Sequence, residues 1–241
     1  MRIAVLITNT DDSAFARARP DDGEKFATLL AEVRPDWTAT PFWVSRGDFP
    51  ADLSGFDGVL VTGSPASVSD DASWIARLET VLADVIGRRQ PLFGACFGHQ
   101  LIAKVLGARI VRNPGGWGHG LLQVTRCGTA PWSGDEPGFA LYGSHIEQVA
   151  RLPDGATGLF AGPGVPVAGF AVGAHVFTIQ HHPEMTHGFI TDLVEEYADV
   201  VGPAVTDRAR VSLHQHADRT AFAEEIARFF DCAQTADGQG G

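Results

Sequence analysis

Cysteine is scarce: Cys96, Cys127 and Cys232 are the only three in 241 residues, and they stand far apart. That spacing excludes a disulfide framework and a paired-cysteine metal site, and a reducing, cytoplasmic setting is inferred; no metal or other cofactor is expected. Basic residues are also few, with 18 Lys and Arg against 29 Asp and Glu for a formal charge of −11. No basic run or basic amphipathic helix relieves that deficit, which argues against nucleic acid and membrane surfaces as partners. Long apolar runs are missing. The opening stretch from Met1 to Thr8 is too brief for a signal peptide or a membrane span before Asn9 and Asp11 intervene. There is no internal repeat, no interdomain linker and no Gly-x-x-x-x-Gly-Lys phosphate loop, so nucleotide chemistry has no support.

What remains is a chain 44% hydrophobic and 20% charged, enough to build one globular domain with a substantial core. Its first half alternates two periodicities. Ile3–Thr8, Trp37–Val44 and Asp57–Thr62 read as strands, the second near an edge because Pro41 cannot donate to a ladder. Between them, Gly23–Val33 and Asp71–Ile86 carry apolar residues at helical spacing. This rhythm predicts an α/β fold of flavodoxin-like type, with a mostly parallel central sheet, helices on both faces, and a site at the carboxyl ends of the strands. After Leu106 the texture changes to short β-branched runs punctuated by Gly and Pro, which predict an added antiparallel region. A loop is expected over Asn113–Gly120, and helices over Thr191–Val200 and Thr220–Phe230. Residues 1–200 are expected to form the core of the single domain, 201–233 a helical extension and 234–241 a frayed tail.

The most informative stretch is Pro91-Leu92-Phe93-Gly94-Ala95-Cys96-Phe97-Gly98-His99-Gln100. A short apolar run ends in Gly-x-Cys-x-Gly and passes into helical composition, which reads as strand, sharp turn, helix. The glycines permit close backbone approach on either side of Cys96, the residue at the apex of a nucleophile elbow. At a helix N-terminus the unpaired N–H groups and the helix dipole favour a thiolate. A thiol nucleophile needs a base, and Ile179-Gln180-His181-His182-Pro183-Glu184 follows an apolar strand whose end meets the same sheet edge. His182 is the candidate base that later protonates a leaving amine, and Glu184 the carboxylate that orients it. The acid follows the histidine, whereas an α/β-hydrolase has it before.

Together, the elbow, His182-Pro183-Glu184 and Gly63-Ser64-Pro65 resemble the class I glutamine amidotransferases, in particular the amidotransferase part of GMP synthetase. The resemblance implies a Cys-His-Glu triad that attacks the γ-amide carbonyl of a glutaminyl group and forms a γ-glutamyl thioester. It further implies an oxyanion hole of backbone N–H groups at Gly63, Ser64 and Phe97, and substrate contacts from Gln100, Ser144 and His145. The family often has Gly-Gly-Pro in the turn and Gly-x-Glu-x-Gly in the substrate-facing loop. Here they read Gly63-Ser64-Pro65 and Gly116-Trp117-Gly118-His119-Gly120.

No synthetase domain follows Glu184 in this chain, so the resemblance implies either docking to a separate synthetase subunit or release of product into solution. Three readings follow: a self-contained hydrolase of γ-glutamyl amides, an ammonia-donating subunit, and a non-catalytic binding protein on the same scaffold. The intact triad disfavours the last. His181 and His99 are expected to pack or hydrogen-bond beside the site, His214 and His216 to lie on a polar turn, and Cys127 and Cys232 to be bystanders. Trp117 is a substrate platform or a loop anchor.

Overall fold

The computed structural model describes residues 1–237. β1 (Arg2–Leu6) leads into a one-turn helix, α1 (Ala14–Arg17), and then α2 (Asp22–Val33). A capping box starts α2: the Glu24 N–H donates to the Asp21 carboxylate and the Asp21 N–H to that of Glu24. β2 (Thr38–Phe42), β3 (Gly58–Val61), α3 (Ser73–Gly87), β4 (Leu92–Ala95) and α4 (Phe97–Val105) complete the alternating half. The second half brings β5 (Ile110–Arg112), β6 (Gly118–Arg126), β7 (Gly138–His145), β8 (Glu147–Val149), β9 (Thr157–Gly162), β10 (Val165–Val172) and β11 (Val176–Ile179). Helices α5 (His187–Glu196), α6 (Ala198–Val201), α7 (Pro203–Ser212) and α8 (Arg219–Asp237) follow.

A nine-stranded sheet runs in the order β2-β1-β3-β4-β11-β10-β9-β6-β7. From β2 to β11 neighbours are parallel, and from β11 onward they are antiparallel. Both faces of the parallel block are covered, as alternation along β1 makes plain. Ile3 and Val5 pack with Phe26 and Leu29 of α2 and Phe222 and Phe229 of α8. Ala4 and Leu6 pack on the opposite face with Leu78 and Leu82 of α3 and Leu101 of α4. The expected edge strand is β2, with Pro41 opposite Val5.

Some details depart from the sequence reading. The expected loop over Asn113–Gly120 is shorter, because Gly118, His119 and Gly120 pair with His145, Ser144 and Gly143 at the start of β6. β5 does not extend the main sheet but pairs with β8 in a separate two-stranded sheet. α7 has little apolar spacing, yet it packs tightly. A Cβ added at Gly120, where φ is 96°, would stand 2.6 Å from Ser212 Oγ and 2.9 Å from Ala209 Cα. That contact explains the glycine. α8 runs to Asp237, and the rest of the tail expected to fray, 238–241, lies outside the described residues.

Candidate active site

Register brings the carboxyl ends of the parallel strands to one edge: Leu6 lies beside Phe42 and Val61, Val61 beside Gly94, and Ala95 beside Ile179. Cys96 emerges there with φ 49° and ψ −103°, a left-handed conformation a non-glycine residue adopts only when its surroundings enforce it. The enforcement is visible on both sides. A Cβ on Gly98 would meet Val61 O at 2.5 Å, and one on Gly94 would meet Ile102 Cδ1 at 2.6 Å. Both elbow glycines are therefore dictated by close packing of α4 on the sheet. The Cys96 N–H donates to Ile179 O at 2.9 Å, which stitches the elbow to the end of β11.

Beyond β11, His182 and Glu184 are buried, and His182 Nδ1 lies 2.6 Å from Glu184 Oε1. The His182 N–H donates to Tyr142 O at 2.7 Å, so β7 grips the segment that carries the imidazole. A Cβ on Gly63 would stand 2.5 Å from His182 Cε1 and 3.5 Å from Cys96 Cβ, so the turn after β3 touches both. Burial pushes the His182 imidazole down, but the charges of Glu184 and Cys96 and hydrogen bonds to both outweigh it. His182 is held well above the ordinary histidine range.

The turn at Gly63 is anchored from behind. The Thr8 hydroxyl donates to Gly63 O at 2.9 Å, and because a trans peptide is planar the Ser64 N–H of that unit points away from Thr8. Ser64 Oγ accepts from the Ala66 N–H at 3.2 Å. The Phe97 N–H opens α4, while its ring turns into the core and stacks on Trp74 at 5.5 Å.

The residues expected to hold substrate gather nearby, with their polar atoms partly committed. Gln100 Nε2 donates to Glu147 O at 2.9 Å and to Gln180 Oε1 at 3.2 Å. Ser144 Oγ lies 3.1 Å from His119 Nδ1, and His145 Nδ1 lies 3.2 Å from Glu147 O. His145 Nε2, buried and lacking a hydrogen-bond partner among the described residues, stands at 2.9 Å from where a Gly118 Cβ would be. Burial pushes both His119 and His145 down to about 4 and His99 to about 3. Burial, then the neighbouring His145, His182 and His99, hold His181 well below the usual range. All four are neutral at pH 7. His99 binds Thr178 Oγ1 at 2.8 Å and His181 meets the His145 ring edge at 5.6 Å, which are the supporting contacts expected of them.

A cavity of about 570 Å³ opens over Cys96. Gln100, Ser144, His145 and Glu147 line one part of it. The other part extends past Gly63 and Asn9 to Trp43 and Arg46, which follow β2. Since β2 lies three places from β4 in the sheet, the cavity spans about 14 Å at the usual strand spacing. α1 contributes Phe15, which meets Phe189 of α5 edge-on at 5.8 Å, and Trp117 lines the cavity with its ring against Tyr197 at 6.3 Å. Sequence reasoning missed this long arm, since α1 and the Trp43–Arg46 turn carry no motif. It also missed Gln180, whose Nε2 lies 3.7 Å from Cys96 Sγ. Gln180 follows the end of β11 directly, and nothing in the sequence marks it.

The family model described as glutamine amidotransferase class-I matches residues 29–194. The chain belongs to the class I glutamine amidotransferases. Gamma-glutamyl peptidase 3 of Arabidopsis thaliana is 30% identical over 203 residues, covering 80% of this chain and 81% of the relative. GMP synthase [glutamine-hydrolyzing] of Aeropyrum pernix is 34% identical over 153 residues, covering 63% of this chain but 29% of that longer protein. Among solved structures, a glutamine amidotransferase from Thermotoga maritima aligns over 95% of each chain with a TM-score of 0.75 and 18% identity, a likeness of fold. This amidotransferase is thus a hydrolase of the glutamine amidotransferase type. No helix among its described residues is long and apolar enough to cross a membrane.

Proposed function

We propose that this amidotransferase hydrolyses γ-glutamyl amides whose leaving group is larger than ammonia. The cavity carries this reading: its volume of about 570 Å³, lined from Gln100 and Glu147 past Cys96 to Trp43 and Arg46, exceeds what a single glutamine occupies. The 30% likeness to a gamma-glutamyl peptidase over most of both chains supports it.

In the proposed reaction the Cys96 thiolate attacks the γ-carbonyl carbon, and the carbonyl π electrons move onto oxygen. Backbone N–H groups at Gly63, Ser64 and Phe97 are assigned to that developing charge, where one such donor contributes about 3 kcal/mol. The anchored Gly63–Ser64 peptide supports the assignment, because its N–H is fixed in advance. Collapse of the intermediate breaks the C–N bond, and the His182 imidazolium gives its proton to the departing amine. The neutral imidazole then takes a proton from water as hydroxide attacks the thioester, releasing glutamate and restoring the thiolate–imidazolium pair. Glu184 holds the imidazole throughout by its 2.6 Å contact. Gln100, Ser144 and His145 are assigned to the glutamyl end.

The test is glutamate release from glutamine and from a panel of γ-glutamyl dipeptides and tripeptides. Faster peptide cleavage is expected, with Cys96→Ala slower by roughly a thousandfold or more. Undiminished turnover by Cys96→Ala would remove the nucleophile assignment. The 34% likeness to part of a GMP synthase favours a second reading, an ammonia-donating subunit. Weak hydrolysis of every substrate, stimulated by an added synthetase, would select it.

A further inference from the structure

Gln180 sits between β11 and the catalytic segment, fully buried, with its N–H donating to Ala168 O at 2.7 Å. Its side chain belongs to a chain of amides whose polarity can be read link by link. The Glu147 carbonyl only accepts, so Gln100, 2.9 Å away, must present its NH₂ group there. The same nitrogen, at 3.2 Å from the Gln180 side chain, then demands the carbonyl oxygen of Gln180. That leaves the Gln180 NH₂ facing Cys96 Sγ at 3.7 Å, within reach for a donor to sulfur.

We infer that Gln180 is a catalytic residue that donates a hydrogen bond to the Cys96 sulfur, and that Gln100 is a positioning residue acting through it. The inference rests on reading Cys96 as the nucleophile. A neutral amide suits the task. It stabilises the negative sulfur without delivering a proton to it, so the His182 proton stays available for the leaving amine. During attack it holds the sulfur in a single orientation. During thioester hydrolysis it assists departure, because the hydrogen bond strengthens as charge returns to sulfur. Gln100 spends both amide hydrogens on the protein, which leaves its carbonyl oxygen as the atom available to a glutamyl group in the cavity it lines.

The experiment compares Gln180→Met, Gln100→Met and the double variant on the best γ-glutamyl substrate, alongside iodoacetamide labelling of Cys96. Labelling is followed by peptide mapping because Cys127 is exposed. Gln180→Met is expected to lower kcat roughly ten- to a hundredfold, the range for loss of one hydrogen bond to a charged group, with KM within about twofold. Gln100→Met should lower kcat in the same direction, and the double variant should be no worse than Gln180→Met alone. Labelling at Cys96 should change in both single variants. The pattern expected of merely structural glutamines, a lowered unfolding midpoint with wild-type kcat and labelling rate, would overturn the inference. So would Gln100→Met raising KM at unchanged kcat, which would make that residue a substrate contact alone. Should Cys96→Ala keep turnover, the reaction assignment fails instead, and the labelling data still report whether Gln180 addresses the sulfur.

Discussion

Single contacts around His182 carry sharp expectations. The Glu184 carboxylate is the foremost influence raising its imidazole, so Glu184→Gln removes the charge that favours the cationic form and lowers the value at which His182 loses its proton. The alkaline limb of the kcat/KM profile should move to lower pH, with kcat reduced at pH 8 and binding largely kept. An unmoved limb would place the orienting acceptor elsewhere. Gly63→Ala tests crowding in place of charge. Its Cβ would meet His182 Cε1 at 2.5 Å, so the ring must shift, and a displacement of that kind costs roughly a hundredfold in rate. Activity assays beside a thermal melt separate this from unfolding. The gathering of Cys96, His182 and Glu184 was legible in the sequence because glycine and strand signals mark both of their segments. The Gln180 contact was hidden, since an amide has no motif of its own and acquires its role from neighbours distant in sequence.

Elements show the same division. β1, β3 and β4 could be read from apolar runs, and α3 from Ile75, Leu78, Leu82 and Val85 on one buried face. α7 falls within the expected helical extension, but its bounds could not be read, because its burial is confined to Thr206 and Ala209 and its fit depends on a glycine in β6. α8 was legible as a helix, but the partner it pairs with was not. Glu225, fully buried, meets Arg126 of β6 at 3.0 Å, the Gly134 N–H at 3.0 Å and Arg228 at 2.6 Å. Glu225→Ala would strand Arg126, whose side chain is itself largely buried, without its carboxylate. Loss of one partner from a buried pair typically costs about 3 to 5 kcal/mol. A urea titration should show that destabilisation, and a loss below 1 kcal/mol would mean that water reaches the site.

For the whole molecule, the buried neutral histidines set the acid limit. His99 is held at about 3, His119 and His145 at about 4, and His181 well below the usual range, all chiefly by burial. In the unfolded chain each would titrate near 6.5. As pH falls from 6.5 toward 4 the unfolded state therefore takes up protons the folded state refuses. Stability falls by up to about 1.4 kcal/mol per pH unit for each such group. His182 acts oppositely, adding stability below 6.5 that is lost as pH rises through its raised folded value, but it is outnumbered. The urea midpoint should be lower at pH 5 than at pH 7, and an equal or higher midpoint would show that the imidazoles are hydrated. The α/β rhythm announced the parallel block. The return of β7 to the loop after β11 could not be read, because that pairing joins residues with no shared pattern.

That return has a bearing on biogenesis. The elbow is built on β3, β4 and α4, early in the chain, but is tied at Ile179 O to β11, and the imidazole segment that follows is gripped by Tyr142 O of β7. A growing polypeptide with its first layers in place would already hold Cys96 but not the imidazole proposed to activate it. On the proposed mechanism, reactivity is withheld until the last strands close, and a chain that stalls midway carries a dormant thiol.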